Sequence, residues 1–91
     1  MSKDTIKLSP IEQHVVEFVM KLRAENDLTQ EDIGNIIGVK QTFIANIENP
    51  TNKAKYNLKH IDLLADHFGI SPRDFLPEKS LIRGLDKTNK G

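Results

Sequence analysis

Cysteine is missing from this 91-residue chain, so no disulfide framework and no thiolate metal site can be built. That suits a reducing compartment, and a cytoplasmic location is the expectation. No apolar run approaches the roughly 20 residues that cross a bilayer, so no membrane association is expected. The opening MSKDTIKLS lacks the apolar stretch of a secretory signal. Net charge is absent too, with 13 basic residues against 13 acidic. No alternation of period two persists long enough to suggest a strand. Catalytic and metal constellations are also wanting. His14, His60 and His67 form no H-x-x-x-H pair and have no carboxylate at ligand spacing, and His60 and His67 read as exposed imidazoles. The five glycines are scattered and make no phosphate-cradling loop. Enzyme activity, a metal and a cofactor are therefore not expected.

What is present is helical punctuation. Ser9-Pro10-Ile11-Glu12 combines an N-cap, a proline at the first helical position and the acidic partner of a capping box. Ile11, Val15, Phe18, Val19 and Leu22 follow at helical spacing as the expected buried stripe. Asn26-Asp27 ends that helix. Thr29 and Asp32 make a second, shortened capping box, with Ile33 and Ile37 on one face and Gly38 as the left-handed stop. A further helix from Lys40 puts Ile44 and Ile47 on one face and Gln41, Thr42, Ala45 and Asn46 on the others.

After the loop 49–56, Asn57 caps a helix whose expected apolar face is Leu58, Ile61, Leu64, Ala65 and Phe68, closed by Gly69. Ser71-Pro72 starts a last short helix, buried through Phe75 and Leu76 and stopped by Pro77. The fold expected is thus all-α, a compact bundle of five helices near 9–25, 29–37, 40–48, 57–68 and 71–76. Residues 1–8 read as frayed and 9–77 as the domain. Residues 78–91, with only Leu81, Ile82 and Leu85 apolar, read as a mostly flexible tail.

The stretch LTQEDIGNIIGVKQTFIANIE, residues 28–48, resembles the helix-turn-helix of the Xre/Cro-type phage and bacterial repressors. Leu28, Thr29, Gln30, Ile33, Gly34, Ile37, Gly38, Val39, Ile44, Ile47 and Glu48 stand where that pattern places its defining residues, without a gap. Lys40 departs from it by replacing the usual Ser or Thr cap. Ile36 departs by being apolar, and reads as exposed. Pro50 departs by following Glu48-Asn49 where Gly is common. The resemblance continues to Leu76 and implies a lambda-repressor-like domain and a regulator that binds a double-stranded DNA operator.

In such a motif the second helix enters the major groove while the first crosses the backbone. Gln41, Thr42 and Asn46 stand where base-reading side chains are common, and amides and hydroxyls suit base edges. Gln30, Lys40, Asn49, Lys53, Lys55 and Lys59 are the expected backbone contacts. Residues 39–60 hold Lys40, Lys53, Lys55 and Lys59 against Glu48 alone, so the neutral chain carries a locally basic segment. Phe43 reads equally as a thymine contact or as packing against the loop. Glu48 and Gly34 read as architectural, the latter at a close helix approach where only Gly or Ala fits. A homodimer contacting through residues 69–77 is expected, since related repressors bind as two-fold dimers. The alternative is an antitoxin or interaction module that binds a partner protein, a toxin, through apolar residues such as Ile36, Leu81 and Ile82.

Overall fold

Four local cap signatures fix where three of the four helices and the closing 3-10 turn begin. The computed structural model describes residues 8–82. Helix α1 spans Pro10–Glu25, α2 Gln30–Ile37, α3 Gln41–Glu48 and α4 Leu58–Phe68, followed by a 3-10 turn at Pro72–Phe75. Among the described residues there is no strand. Ser9, Thr29, Asn57 and Ser71 each act as N-cap in a reciprocal capping box. At Thr29, for instance, the Asp32 N–H donates to Oγ1 at 3.1 Å and Asp32 Oδ2 accepts from the Thr29 N–H at 2.8 Å. Each box satisfies two amides that a helix start would otherwise leave unpaired.

The helix ends are equally local. At the end of α2 the Val39 N–H reaches back to the Gly34 carbonyl at 2.9 Å, with Gly38 at φ 78° between them. This is a Schellman closure, and the left-handed φ is what glycine supplies. The end of α1 closes in the same way without glycine: Asp27 takes φ 58° and the Leu28 N–H donates to the Arg23 carbonyl at 2.9 Å. Asp tolerates that conformation better than most side chains.

The core gathers one stripe from every element. Val15, Val16 and Val19 of α1 meet Ile33 and Ile37 of α2, Ile44 and Ile47 of α3, and Ile61, Leu64 and Ala65 of α4. Phe75 is fully buried and closes the bundle from the 3-10 turn, its ring edge-on to Phe18 at 4.9 Å. Burying a side chain of that size contributes about 1.5–3 kcal/mol.

Several expectations are corrected. The fifth helix is a single 3-10 turn, held by i to i+3 bonds such as Leu76 N–H to Arg73 carbonyl at 3.0 Å. Pro77 is the cause, because the residue before a proline is forced out of the helical region, and Leu76 is extended. Leu76 is consequently exposed rather than buried, and so are Ile11 and Leu58, the latter at 82%. Both of these lie in the first turn of their helix, beyond the reach of the core. Val16 takes the place in the stripe that Ile11 does not fill. Ile36 is not exposed; it is half-buried against the core. Tyr56, assigned to a polar loop, is buried. The frayed start and the tail fall largely on residues 1–7 and 83–91, Leu85 included, outside the described residues. Within the described part, residues 78–82 form no helix and leave Leu81 and Ile82 exposed.

Candidate nucleic-acid interface

Helix α3 has two sides with different tasks. Ile44 and Ile47 are 0% and 2% exposed and anchor it to the core, while Gln41, Thr42 and Asn46 are exposed on its outer surface. Lys40 is its N-cap, in extended conformation, and gives no side-chain cap. The turn before it is tight. A Cβ built on Gly34 would lie 2.6 Å from the Val39 carbonyl oxygen, so α2 approaches the turn closer than even a methyl permits. The expectation that alanine would fit at this position is therefore corrected.

A polar chain ties the ends of the motif together. The Arg23 guanidinium of α1 donates to both Glu48 carboxylate oxygens, Nη2 to Oε1 at 2.8 Å and Nε to Oε2 at 3.2 Å. Its Nη1 also donates to the Leu28 carbonyl at 3.3 Å, at the start of the motif. Gln30, the first residue of α2, donates from Nε2 to Glu48 Oε1 at 2.9 Å. The Gln30 carbonyl oxygen in turn accepts from Gln41 Nε2 at 2.6 Å. Glu48 has only 6% of its side chain exposed, so this is a largely desolvated anchor with its lone pairs used. Gln41 is exposed, and its side-chain oxygen and second N–H are a donor and acceptor pair of the kind that can match adenine in the major groove.

The remaining site residues divide into two groups. Lys40, Lys53 and Lys59 are exposed, and Phe43 of α3 meets the His60 ring of α4 edge-on at 5.9 Å. That contact sets the first turn of α4, with Lys59, beside α3. Lys55 instead turns to α1 and pairs with Glu12 at 3.6 Å. Asn49 Oδ1 is taken up in a local turn, accepting from the Thr51 N–H at 3.0 Å and the Thr51 hydroxyl at 2.9 Å. Phe43 is half-buried and packs against the core.

Two residues whose roles the sequence reading missed matter here. Arg23 lies 25 positions from Glu48, and no short-range pattern announces the pair. His60 is more than an exposed imidazole: its Nδ1 accepts from the Asn57 N–H at 3.1 Å, as the N3 partner of Asn57 in a capping box. Burial, and after it the Lys59 charge, lower its pKa from 6.5. Asn57-x-x-His60 is the signal that would have found it. Burial, reinforced by Glu48, likewise pushes the Tyr56 phenol well above its ordinary 10.

Two short helices locked around a left-handed turn, with the second displaying amides outward, make a helix-turn-helix DNA-binding domain. The comparisons agree. A family model described as helix-turn-helix, HTH_3, matches residues 19–75. That span is more than half of the chain, which belongs to this Xre/Cro-type helix-turn-helix family. No curated protein and no solved structure matches the chain. Among the described residues, no helix is long and apolar enough to cross a membrane.

Proposed function

We propose that this domain is a sequence-specific transcriptional regulator that lays α3 in the major groove of a double-stranded operator. The carrying observation is the chain from Arg23 through Glu48 and Gln30 to Gln41, which holds one amide in a fixed orientation at the leading end of α3. A preorganised reader loses less side-chain entropy on binding. Thr42 and Asn46 extend the same surface along the groove. Lys40, Lys53 and Lys59 neutralise phosphates, Gln30 adds a backbone contact through its remaining N–H, and Asn49 does so through its amide nitrogen. Two copies bind two half-sites about one helical turn apart, roughly 34 Å between recognition helices. The protein works in the cytoplasm, without catalysis.

The test is selection of bound duplexes from a random pool, followed by anisotropy titrations on the selected site. A two-fold related sequence bound far above scrambled duplex is the expected result. Failure to enrich any sequence would remove the proposal in favour of the second reading, an antitoxin or partner-binding module. That second reading is weakened by Ile36, which packs on the core and leaves the surface it was expected to supply.

A further inference from the structure

Tyr56 ends the loop after α3 with only 8% of its surface exposed. Its hydroxyl is the one enclosed side-chain polar group among the described residues that meets no hydrogen-bond partner. Burying a hydroxyl in this way is costly unless something completes it. The ring is held edge-on against His60 at 6.1 Å. The charged side chains that act on the phenol are Glu48 and, less strongly, Arg23, which puts the hydroxyl within electrostatic reach of that ion pair. Burial first, and the Glu48 charge second, keep the phenol protonated, so it enters as a donor. Glu48 has 6% of its side chain exposed. Its Oε1 receives two hydrogen bonds, from Arg23 and Gln30, and its Oε2 receives one, from Arg23. A carboxylate can accept about four.

From this we infer that Tyr56 is a positioning residue for the reading helix, its hydroxyl tied to the Glu48 carboxylate through one enclosed water. The water accepts from the phenol and donates to Oε2. Hydrogen bonds to two or more polar groups are what hold a water in a protein interior. Arg23 braces Glu48 from α1, and Tyr56 braces it from the loop that follows α3. Gln30 hangs on the same carboxylate at 2.9 Å and Gln41 on Gln30 at 2.6 Å, so the orientation of Glu48 passes to the exposed amide. Bonds in a desolvated chain of this kind polarise and strengthen one another. Tyr56 itself touches neither base nor phosphate. Were its ring only an apolar wall, the hydroxyl would be a burden and phenylalanine would serve better. The inference deepens the DNA reading above and rests on it for its consequence at the operator.

The test is Tyr56→Phe in the full chain, which keeps the ring and removes only the hydroxyl. Without DNA, urea denaturation should show the folding equilibrium constant reduced by about threefold to tenfold. In nitrogen–proton correlation spectra of the free protein the side-chain amide signals of Gln30 and Gln41 should move. The amide of Asn46, exposed on the same helix but outside the chain, should not. The wild-type hydroxyl proton should exchange slowly and show a cross-peak to a bound water. A phenylalanine variant as stable as wild type, or a less stable one in which the Gln30 and Gln41 signals stay in place, would overturn the inference. On the selected duplex, well below the melting temperature, Tyr56→Phe should lower discrimination at the base pair read by Gln41 by about threefold or more. It should leave the salt slope alone and add nothing in a Gln41→Ala background. Discrimination equal to wild type would also overturn the inference. Wild type that prefers no duplex counts against the DNA reading alone, since the spectra are recorded without DNA.

Discussion

Arg23 and Glu48 hold each other by two parallel hydrogen bonds, Nη2 to Oε1 at 2.8 Å and Nε to Oε2 at 3.2 Å, across 25 residues of chain. The pair bolts the C-terminal end of α3 to the C-terminal half of α1. It also fixes the carboxylate oxygen on which Gln30, and through it Gln41, is oriented. Removing the carboxylate leaves the guanidinium and the Gln30 amide without their acceptor. Glu48→Ala should therefore cost about 3 kcal/mol, the low end for breaking a buried pair because Arg23 keeps partial access to water. Arg23→Lys should retain only part of the pair's contribution, since an ammonium cannot make the paired contact. Urea denaturation of the three proteins measures both effects.

Gly34 is the second position where the motif tolerates little. Alanine normally gains about 0.5–1 kcal/mol over glycine inside a helix. Here its methyl would meet the Val39 carbonyl at 2.6 Å, and the atom that must give way is backbone. Overpacking of this kind costs about 1–3 kcal/mol, so Gly34→Ala should be destabilising on balance and Gly34→Val more severely so. Thermal melts rank the three; an alanine variant more stable than wild type would mean the turn is looser than the structure has it.

His60 gives the stability a pH dependence with a definite sign. It accepts the Asn57 N–H at Nδ1 and so caps α4 only while neutral. The groups around it are Lys59 on its own helix, the protonated Tyr56 phenol from the loop and the uncharged Phe43 ring of α3. Its folded pKa is below 6.5, so between that value and 6.5 the unfolded chain binds more protons. The stabilisation is complete above about pH 6.5 and is lost as pH falls through the folded pKa. His60→Gln keeps a capping acceptor at that position and should flatten this component, seen as a smaller change in melting temperature between about pH 5 and 8.

Positioning and reading should separate under salt. Lys53→Ala and Lys59→Ala should weaken cognate and scrambled duplex alike, each reducing the log–log salt slope by about 0.9. Gln41→Ala should cost about 1–3 kcal/mol on the cognate site and leave the slope nearly unchanged. Lys55, occupied by Glu12, should contribute less to the slope than either of the other lysines. Anisotropy across a salt series checks all four variants; identical profiles for Gln41→Ala and Lys59→Ala would refute the division.

The parts legible in the sequence were those written in consecutive residues. Caps, left-handed stops and the helix-turn-helix spacing involve partners within five positions, so Ser9 with Glu12 and Thr29 with Asp32 announced themselves. Side chains in the first turn of a helix misled, because periodicity gives the face of Ile11 and Leu58 but not whether a neighbour covers it. The long-range pairing of Arg23 with Glu48 had no local signature, and neither did the burial of Tyr56 in a loop of turn-forming residues. Glycine at position 34 was legible as a close approach, but the distance of that approach was not.

The two sides of α3 share no residue. Ile44 and Ile47 face the core, and Gln41, Thr42 and Asn46 are exposed. Readout and folding can therefore be rewritten largely independently, Gln41 alone being tied to the frame through Gln30. A library randomised at positions 41, 42 and 46, excluding proline and glycine, should fold in most of its members, with melting temperatures close to wild type. Target preference would vary freely across it, so the helix behaves as a replaceable cartridge in a frame that stays the same.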